Sequence, residues 1–387
     1  IIPNDADKPQ KGVNVPNLRF HGFDDNWMQT SLSSICSFRK KRTFSIKSCY
    51  VSTENILQNY KGINRYNSNE IISGNEFLTG DILMANIRPY LKKVYLAEFD
   101  GVSNTDVLIF KSNGVYSHFL YHVLANDNFI NYVMNSVKGS KMPRGDKTHI
   151  MQYNLSIPSS QEQNNIATFL DLIDKRIDTQ SKIIEDLQTL KISICDKVFE
   201  DTTYPEYKLK DVLSERIEKS NVNNQYEILS STIKGLFTQK EYFDKDIASS
   251  NNIGYKIVHL YDIIISPQNL WMGNITFNQR FTNGLVSPSY KIYIINNNFD
   301  MYYIANMLKT KRAMYKYICS SQQGASVVRR NLNMDDFLSL SFNIPDINKQ
   351  RKIGLLLNTI DKRIDLEQTY LTKLNQQKKF LLKNMFI

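Results

Sequence analysis

The chain has 387 residues, enough for two or three domains that each bury a core, and 42% hydrophobic content excludes a disordered or low-complexity protein. A formal net charge of +10 points to a polyanionic partner, of which nucleic acid is the commonest. No apolar run is long enough for a membrane helix. The four cysteines (Cys36, Cys49, Cys195, Cys319) lack the paired spacing of a disulfide framework or zinc site and suit a reducing cytoplasm.

Residues 1–17 read as a loose tail. The opening IIPNDADKPQKG has no apolar segment of the signal-peptide kind. A first mixed α/β unit is expected over 18–156. It starts at Leu18-Arg-Phe and Trp27 and continues into the charged loop Arg39-Lys-Lys-Arg42. Buried or half-buried strands are expected at Gly80–Asn86, Lys93–Phe99 and Val102–Phe110, followed by a helical pattern from Ser117 to Val137. The unit closes with the loop Gly139-Ser-Lys-Met-Pro-Arg144 and a last strand.

A long helix is expected over 157–200. Its apolar positions step by three and four: Ile166, Leu170, Ile173, Ile177, then Ile184, Leu187, Ile194 and Val198, interrupted by Gln180 and Lys191. Such a seam, sustained for more than four heptads, is that of a coiled coil. A second unit is expected over 201–343. Strands at Tyr261–Pro267 and Val286–Tyr293 and a helical pattern from Met301 to Cys319 answer those of the first. It ends in the loop Gly324–Arg330. A second long helix, 344–387, repeats the first 187 residues later without a gap. Its seam is Ile360, Ile364, Glu367, Leu371, Leu374, Lys378 and Leu381. One antiparallel register puts Gln180 against Lys378 and Lys191 against Glu367.

The two helices differ in charge. Five basic side chains face seven acidic ones over 157–199, against nine and four from Ile344 onward. The first helix is therefore not expected to track DNA. Phe169, Ile183 and Leu190 form a second apolar stripe on it, suited to a partner. The repeated Asp-Lys-Arg-Ile-Asp, with Asp174, Asp178, Asp361 and Asp365, reads as a solvated or partner-facing surface with i, i+4 support rather than as paired catalytic carboxylates.

No catalytic set emerges. GxxxxGK[ST], GxSxG and HExxH are all absent. Ser287-Pro-Ser-Tyr290 only approximates an amino-methyltransferase loop. His118 and His122 have a metal-compatible spacing but no third ligand nearby. Binding chemistry remains, in loops that mix basic, amide and aromatic side chains. In the first unit these supply Arg39, Lys40, Lys41, Arg42, Arg65, Tyr66, Asn67, Asn86, Arg88, Tyr90, Lys138, Ser140, Lys141 and Arg144. In the second they supply Gln268, Asn269, Trp271, Gln322, Gln323, Ser326, Arg329 and Arg330. Arg and Lys suit phosphates and guanine edges, and Asn and Gln suit adenine.

With Pro16-Asn-Leu-Arg-Phe, Trp27, the two loop–strand–Ile-Pro steps and Gln161-Glu-Gln163…Ile166-Ala-Thr-Phe-Leu-Asp-Leu-Ile-Asp174 with its copy from Lys349-Gln350, the chain resembles the DNA specificity subunit of type I restriction–modification systems. The resemblance covers nearly the whole sequence. It implies two α/β target-recognition domains alternating with two long helices paired as an antiparallel coiled coil, with pseudo-two-fold symmetry. It further implies a non-catalytic subunit that reads a bipartite site in double-stranded DNA, with the helices as ruler. Two modification subunits would supply S-adenosylmethionine chemistry, and restriction subunits would supply ATP- and Mg-dependent translocation and cleavage. The second helix departs from the pattern by opening Pro-Asp-Ile-Asn-Lys-Gln instead of Pro-x-x-x-Glu-Gln. A stand-alone sequence-specific DNA-binding protein, or a non-catalytic scaffold of another methyltransferase complex, are the rival readings.

Overall fold

The computed structural model describes residues 14–137, 139, 141–242, 251–320 and 333–387 in full, and the backbone alone at 2–3, 243, 321–326 and 329–332. The chain forms two compact units, residues 1–181 with 370–387, and residues 182–369. The two long helices, Ser160–Phe199 and Ile347–Asn384, each contribute one half to each unit.

Both units use the same four-stranded antiparallel sheet. In the first unit the order is Cys36–Phe38, Val107–Ser112, Ile82–Ala85, Val94–Leu96. In the second it is Leu213–Glu215, Lys291–Ile295, Ile263–Ile265, Ile275–Phe277. The central strands Ile82–Ala85 and Ile263–Ile265 are buried throughout, as their unbroken apolar runs require. The strand that closes each unit pairs antiparallel with one near its start: Ile157 lies opposite Met28, and Asn343 opposite Glu206.

The expected helical stretch 117–137 is two helices, Ser117–Leu124 and Asp127–Met134, and 301–319 is likewise Met301–Met307 and Lys311–Cys319. The breaks are caps. The Asn126 side chain accepts from Asn128 N at 3.0 Å, and that of Thr310 from Ala313 N at 3.2 Å. Both residue types satisfy the free N–H groups of a new helix better than they continue an old one.

The helix halves pair antiparallel within each unit. In the first, Ile166, Leu170 and Ile173 from the start of one helix share a core with Leu381 and Met385 from the end of the other. In the second, Ile194, Val198 and Phe199 meet Ile353 and Leu357. The seam residues Ile184, Ile360, Ile364 and Leu374 are buried, and Ile177, Leu187 and Leu371 half-buried. The seam lysines find carboxylates from the Asp-Lys-Arg-Ile-Asp repeats. Lys191 Nζ lies 2.7 Å from Asp361 Oδ2, and Lys378 Nζ lies 2.5 Å from Asp174 Oδ1. The two lysines set against Glu367 and Gln180 in the sequence register thus form their ion pairs with Asp361 and Asp174. Glu367 takes Arg363 of its own helix, one turn away. A long lysine stem reaches a carboxylate outside the seam and keeps its ammonium near water.

The repeated glutamine fixes each helix to its unit. Gln163 Nε2 donates to Pro158 O at 2.9 Å while its Oε1 accepts from Tyr116 N at 3.0 Å. Gln350 does the same with Pro345 O (2.8 Å) and Asp300 N (2.9 Å). Pro158 and Pro345 end a strand, and the amide five residues on ties the first helical turn to the next helix of the unit. The residue before each glutamine differs. Glu162 pairs with Arg19 at 2.8 and 2.9 Å, both buried. Lys349 instead bonds the Tyr204 hydroxyl, with its ammonium 4.6 Å above that ring. The Glu-to-Lys departure is a swap of partner at one position.

Candidate nucleic-acid interface

In the first unit the strand Ile82–Ala85 runs into a turn at Asn86–Lys92. Its single 3-10 turn, Pro89–Leu91, is flanked by Arg88 (φ 51°) and Lys92 (φ 54°), both left-handed. Such backbone costs about 1–3 kcal/mol per residue and persists where the surroundings impose it. Here they do. Arg88 N donates to Pro143 O at 2.8 Å, Asn86 N to Asp106 O at 2.8 Å, and Gly145 N to Asn86 O at 3.4 Å. A Cβ on Gly145 would lie 3.0 Å from each of Asn86 Oδ1, Ile150 Cδ1 and Val133 Cγ1, so a glycine lets the two loops meet.

The result is one surface carrying Arg88, Tyr90, Lys141 and Arg144, all exposed. Arg144 Nη2 lies 3.0 Å from Asp106 Oδ1. Beside Asp106, a groove is lined by Lys40, Asn75, Thr105 and Lys147. Lys147, at the start of a short helix, and Asn75 were not among the residues singled out from the sequence. Neither carries a local pattern; they join the site through the fold.

The second unit builds the corresponding turn from Gln268, Asn269 and the 3-10 turn Leu270–Met272, ended by Gly273 at φ 89°. Gln268 is exposed, and Asn269 and Trp271 are half-buried. The neighbouring hairpin Ser321–Ser326/Arg329–Leu332 occupies the chain position of the loop 139–144. The side chains of Gln322, Gln323, Ser326, Arg329 and Arg330 lie outside the described residues, as do Lys138 and Ser140.

Two residues expected at the DNA surface, Arg39 and Asn86, are turned into the fold. The Arg39 fork is spent on buried Asp81, with Nε to Oδ2 at 2.7 Å and Nη2 to Oδ1 at 3.2 Å, which raises the guanidinium above its ordinary value. Arg216 and Asp262 repeat this bond in the second unit at 2.9 and 3.1 Å. Each aspartate also accepts a backbone N–H at 2.8 Å, from Leu78 and His259 respectively. These pairs tie the end of each sheet's edge strand to the start of its central strand. Asn86 is buried; its backbone joins Asp106 and Gly145, while its side-chain Oδ1 has no hydrogen-bond partner among the described residues. Of the expected partner stripe, Phe169 is half-buried, edge-on to Phe20 at 5.8 Å, and lines an apolar groove with Leu172 and Leu374, and Ile183 and Leu190 are exposed.

Among the other expected residues, Lys40, Arg42 and Asn67 are exposed, and Lys41 is exposed beside Glu76 at 2.9 Å. Arg65 bonds Ser48 O at 3.2 Å and covers the Phe99 ring, and Tyr66 reaches Ser52 at 3.4 Å. His118 and His122 share Asp171, at 2.6 and 2.8 Å. Burial pushes His122 below its ordinary value; burial also raises Asp171, but its bonds to His122 and His118 outweigh this and leave it lowered. Neither these three nor any other group of His, Cys, Asp or Glu among the described residues is placed to hold a metal ion. Tyr290 of the Ser-Pro-Ser-Tyr segment donates to Ser231 O at 3.2 Å, a packing role. No helix among the described residues is long and apolar enough to cross a membrane.

The family model of the type I restriction modification DNA specificity domain matches the chain twice, over residues 24–189 and 203–376. The chain belongs to this family. A specificity-domain protein of Escherichia coli, the type I restriction enzyme EcoDI specificity subunit, is 28% identical over 128 residues, or 32% of this chain. That segment spans 29% of the relative's length. The crystal structure of a type I restriction–modification S subunit from M. genitalium aligns with a TM-score of 0.65 at 15% identity, covering 96% of this chain and 99% of that one. A chain from a structural study of complex assembly and conformational transition of the type I R-M system aligns at 0.52 and 15% identity, covering 94% and 98%. At such identity the likeness concerns the specificity-subunit fold: two sheet-bearing units and two long helices.

Proposed function

We propose that this chain is the non-catalytic DNA-reading subunit of a type I restriction–modification complex. Residues 18–156 and 201–343 each read one half of a bipartite duplex target. The helices 157–200 and 344–387 set the spacing and seat two modification subunits. S-adenosylmethionine, ATP and Mg chemistry belongs to the modification and restriction subunits. The observation that carries this reading is the same Arg–Asp-braced sheet and 3-10 turn in both units, with Arg88 and Tyr90 exposed at one turn and Gln268 exposed beside half-buried Asn269 and Trp271 at the other. One scaffold with two different sets of side chains suits a target with two different halves. Methylome sequencing of cells expressing this chain with its modification partners is expected to give a single asymmetric bipartite motif. A continuous or palindromic motif overturns the reading.

Arg144, exposed and held beside Asp106, is expected to contact a phosphate. Arg144→Ala then weakens binding to all duplexes alike and reduces the salt slope by about 1. Unchanged affinity and slope in a salt titration removes Arg144 from the interface.

A further inference from the structure

The strands Arg42–Ile46 and Ile71–Phe77 pair with Arg42 opposite Asn75, Phe44 opposite Ser73 and Ile46 opposite Ile71. Side chains alternate along a strand. Arg42, Phe44, Ile46, Ile71, Ser73 and Asn75 therefore share one face. That face is open: Phe44 is 74% exposed, Ile71 73% and Ile46 42%. The third strand, Gly101–Ser103, meets residues 75–77 of this pair and carries Tyr50–Val51 on its other side. Residues 42–46 and 71–75 thus form a two-stranded ribbon at the sheet edge, backed by Val102 and Ser103 at Gly74, with an open face that has an apolar end and a polar, cationic base.

Three observations bear on what this face meets. Adjacent exposed Phe and Ile side chains mark an interaction site more often than idle surface. The base is continuous with the proposed DNA surface, since Asn75 belongs both to the ribbon face and to the groove of Lys40, Thr105 and Lys147. Finally, the second unit pairs residues 218–220 with 254–257 more briefly, through the bridge Lys219–Lys256 and the bonds Ile257 N to Glu218 O at 3.0 Å and Ser220 N to Tyr255 O at 2.8 Å. The two units share their braces and turns and differ here, which is where a difference in half-site would be written.

We propose that this ribbon enters the major groove of the first unit's half-site and that Phe44 reads a thymine there through its 5-methyl group. The major groove admits a two-stranded ribbon, and the thymine methyl is the apolar group it displays. Arg42 and Asn75 at the base face phosphate or base edges. The inference rests on the DNA-reading function proposed above.

The test starts from duplexes enriched from a randomised pool by the full-length chain. In an enriched duplex, thymines of one half-site at a time are replaced by deoxyuridine, which removes only the methyl group. Wild-type binding is expected to fall about tenfold for one half-site, the usual size of a single lost base contact. Phe44→Ala loses about the same on the thymine duplex and becomes insensitive to the replacement, while Phe44→Leu restores part of the discrimination. Equal uracil sensitivity in wild type and Phe44→Ala overturns the proposal. So does loss of a protein partner with DNA discrimination intact, because the face then belongs to that partner. Enrichment of no motif by the wild-type chain defeats the DNA-reading function itself, a different outcome from failure of the ribbon.

Discussion

Glu162→Ala lowers the unfolding free energy by about 3–5 kcal/mol, the cost of leaving one member of a buried ion pair alone. Arg19 and Glu162 have side chains only 5% and 1% exposed, and the bond is bidentate. Deleting the carboxylate strands a guanidinium that cannot shed its charge. At this size of domain the loss is roughly 10 °C in melting temperature. The pair itself need not be stabilising. Replacing both partners together with apolar residues of similar volume is expected to restore most of the lost stability, because the desolvation of both charges is then avoided. A double-mutant cycle read by denaturant unfolding therefore shows strong non-additivity. Additive losses in that cycle would mean that Arg19 finds water or another acceptor once Glu162 is gone. The second copy supplies an internal contrast. Lys349 caps Tyr204 at the surface, so Lys349→Ala leaves stability nearly unchanged.

Much of this architecture is legible in the sequence because it is periodic. The steps of three and four from Ile166 to Val198 impose a helix with one buried stripe, and the repeat after 187 residues declares two units. Runs such as Ile82–Ala85 and Ile263–Ile265 are recognisable because a strand buried on both faces has no polar alternation to confuse it. What the sequence hides is pairing at a distance. Arg39 looks like one cation in a basic cluster; only the fold brings Asp81 to it, 42 residues on. Lys147 carries no signal until the loops at Asn86 and Gly145 close on each other. The ribbon failed to stand out for a different reason. Arg-Thr-Phe-Ser-Ile alternates as a strand should, but its apolar residues face solvent, so it resembles no half-buried strand.

The seam sets the terms of the last expected result. The long helices hold apolar contacts in each unit, and Lys191–Asp361 and Lys378–Asp174 are the same pair formed once per unit by the two copies of the repeat. An insertion keeps these contacts only if it preserves the phase of the seam and is made in both helices. A heptad meets the first condition and a two-residue insertion does not. One heptad inserted between residues 180 and 190, with its counterpart between 367 and 377, adds about 10.5 Å of helix at 1.5 Å per residue. If the helices are the ruler, that length corresponds to about 3 base pairs at 3.4 Å per step. The methylome of cells carrying this variant with its modification partners is expected to show both half-sites unchanged in sequence and a gap wider by about 3 base pairs. A heptad in only one helix leaves its seam residues without partners, so the variant should be unstable rather than re-spaced. If the doubly extended variant folds and methylates with its original gap, the spacing is set within the two reading units and the helices serve only to join them.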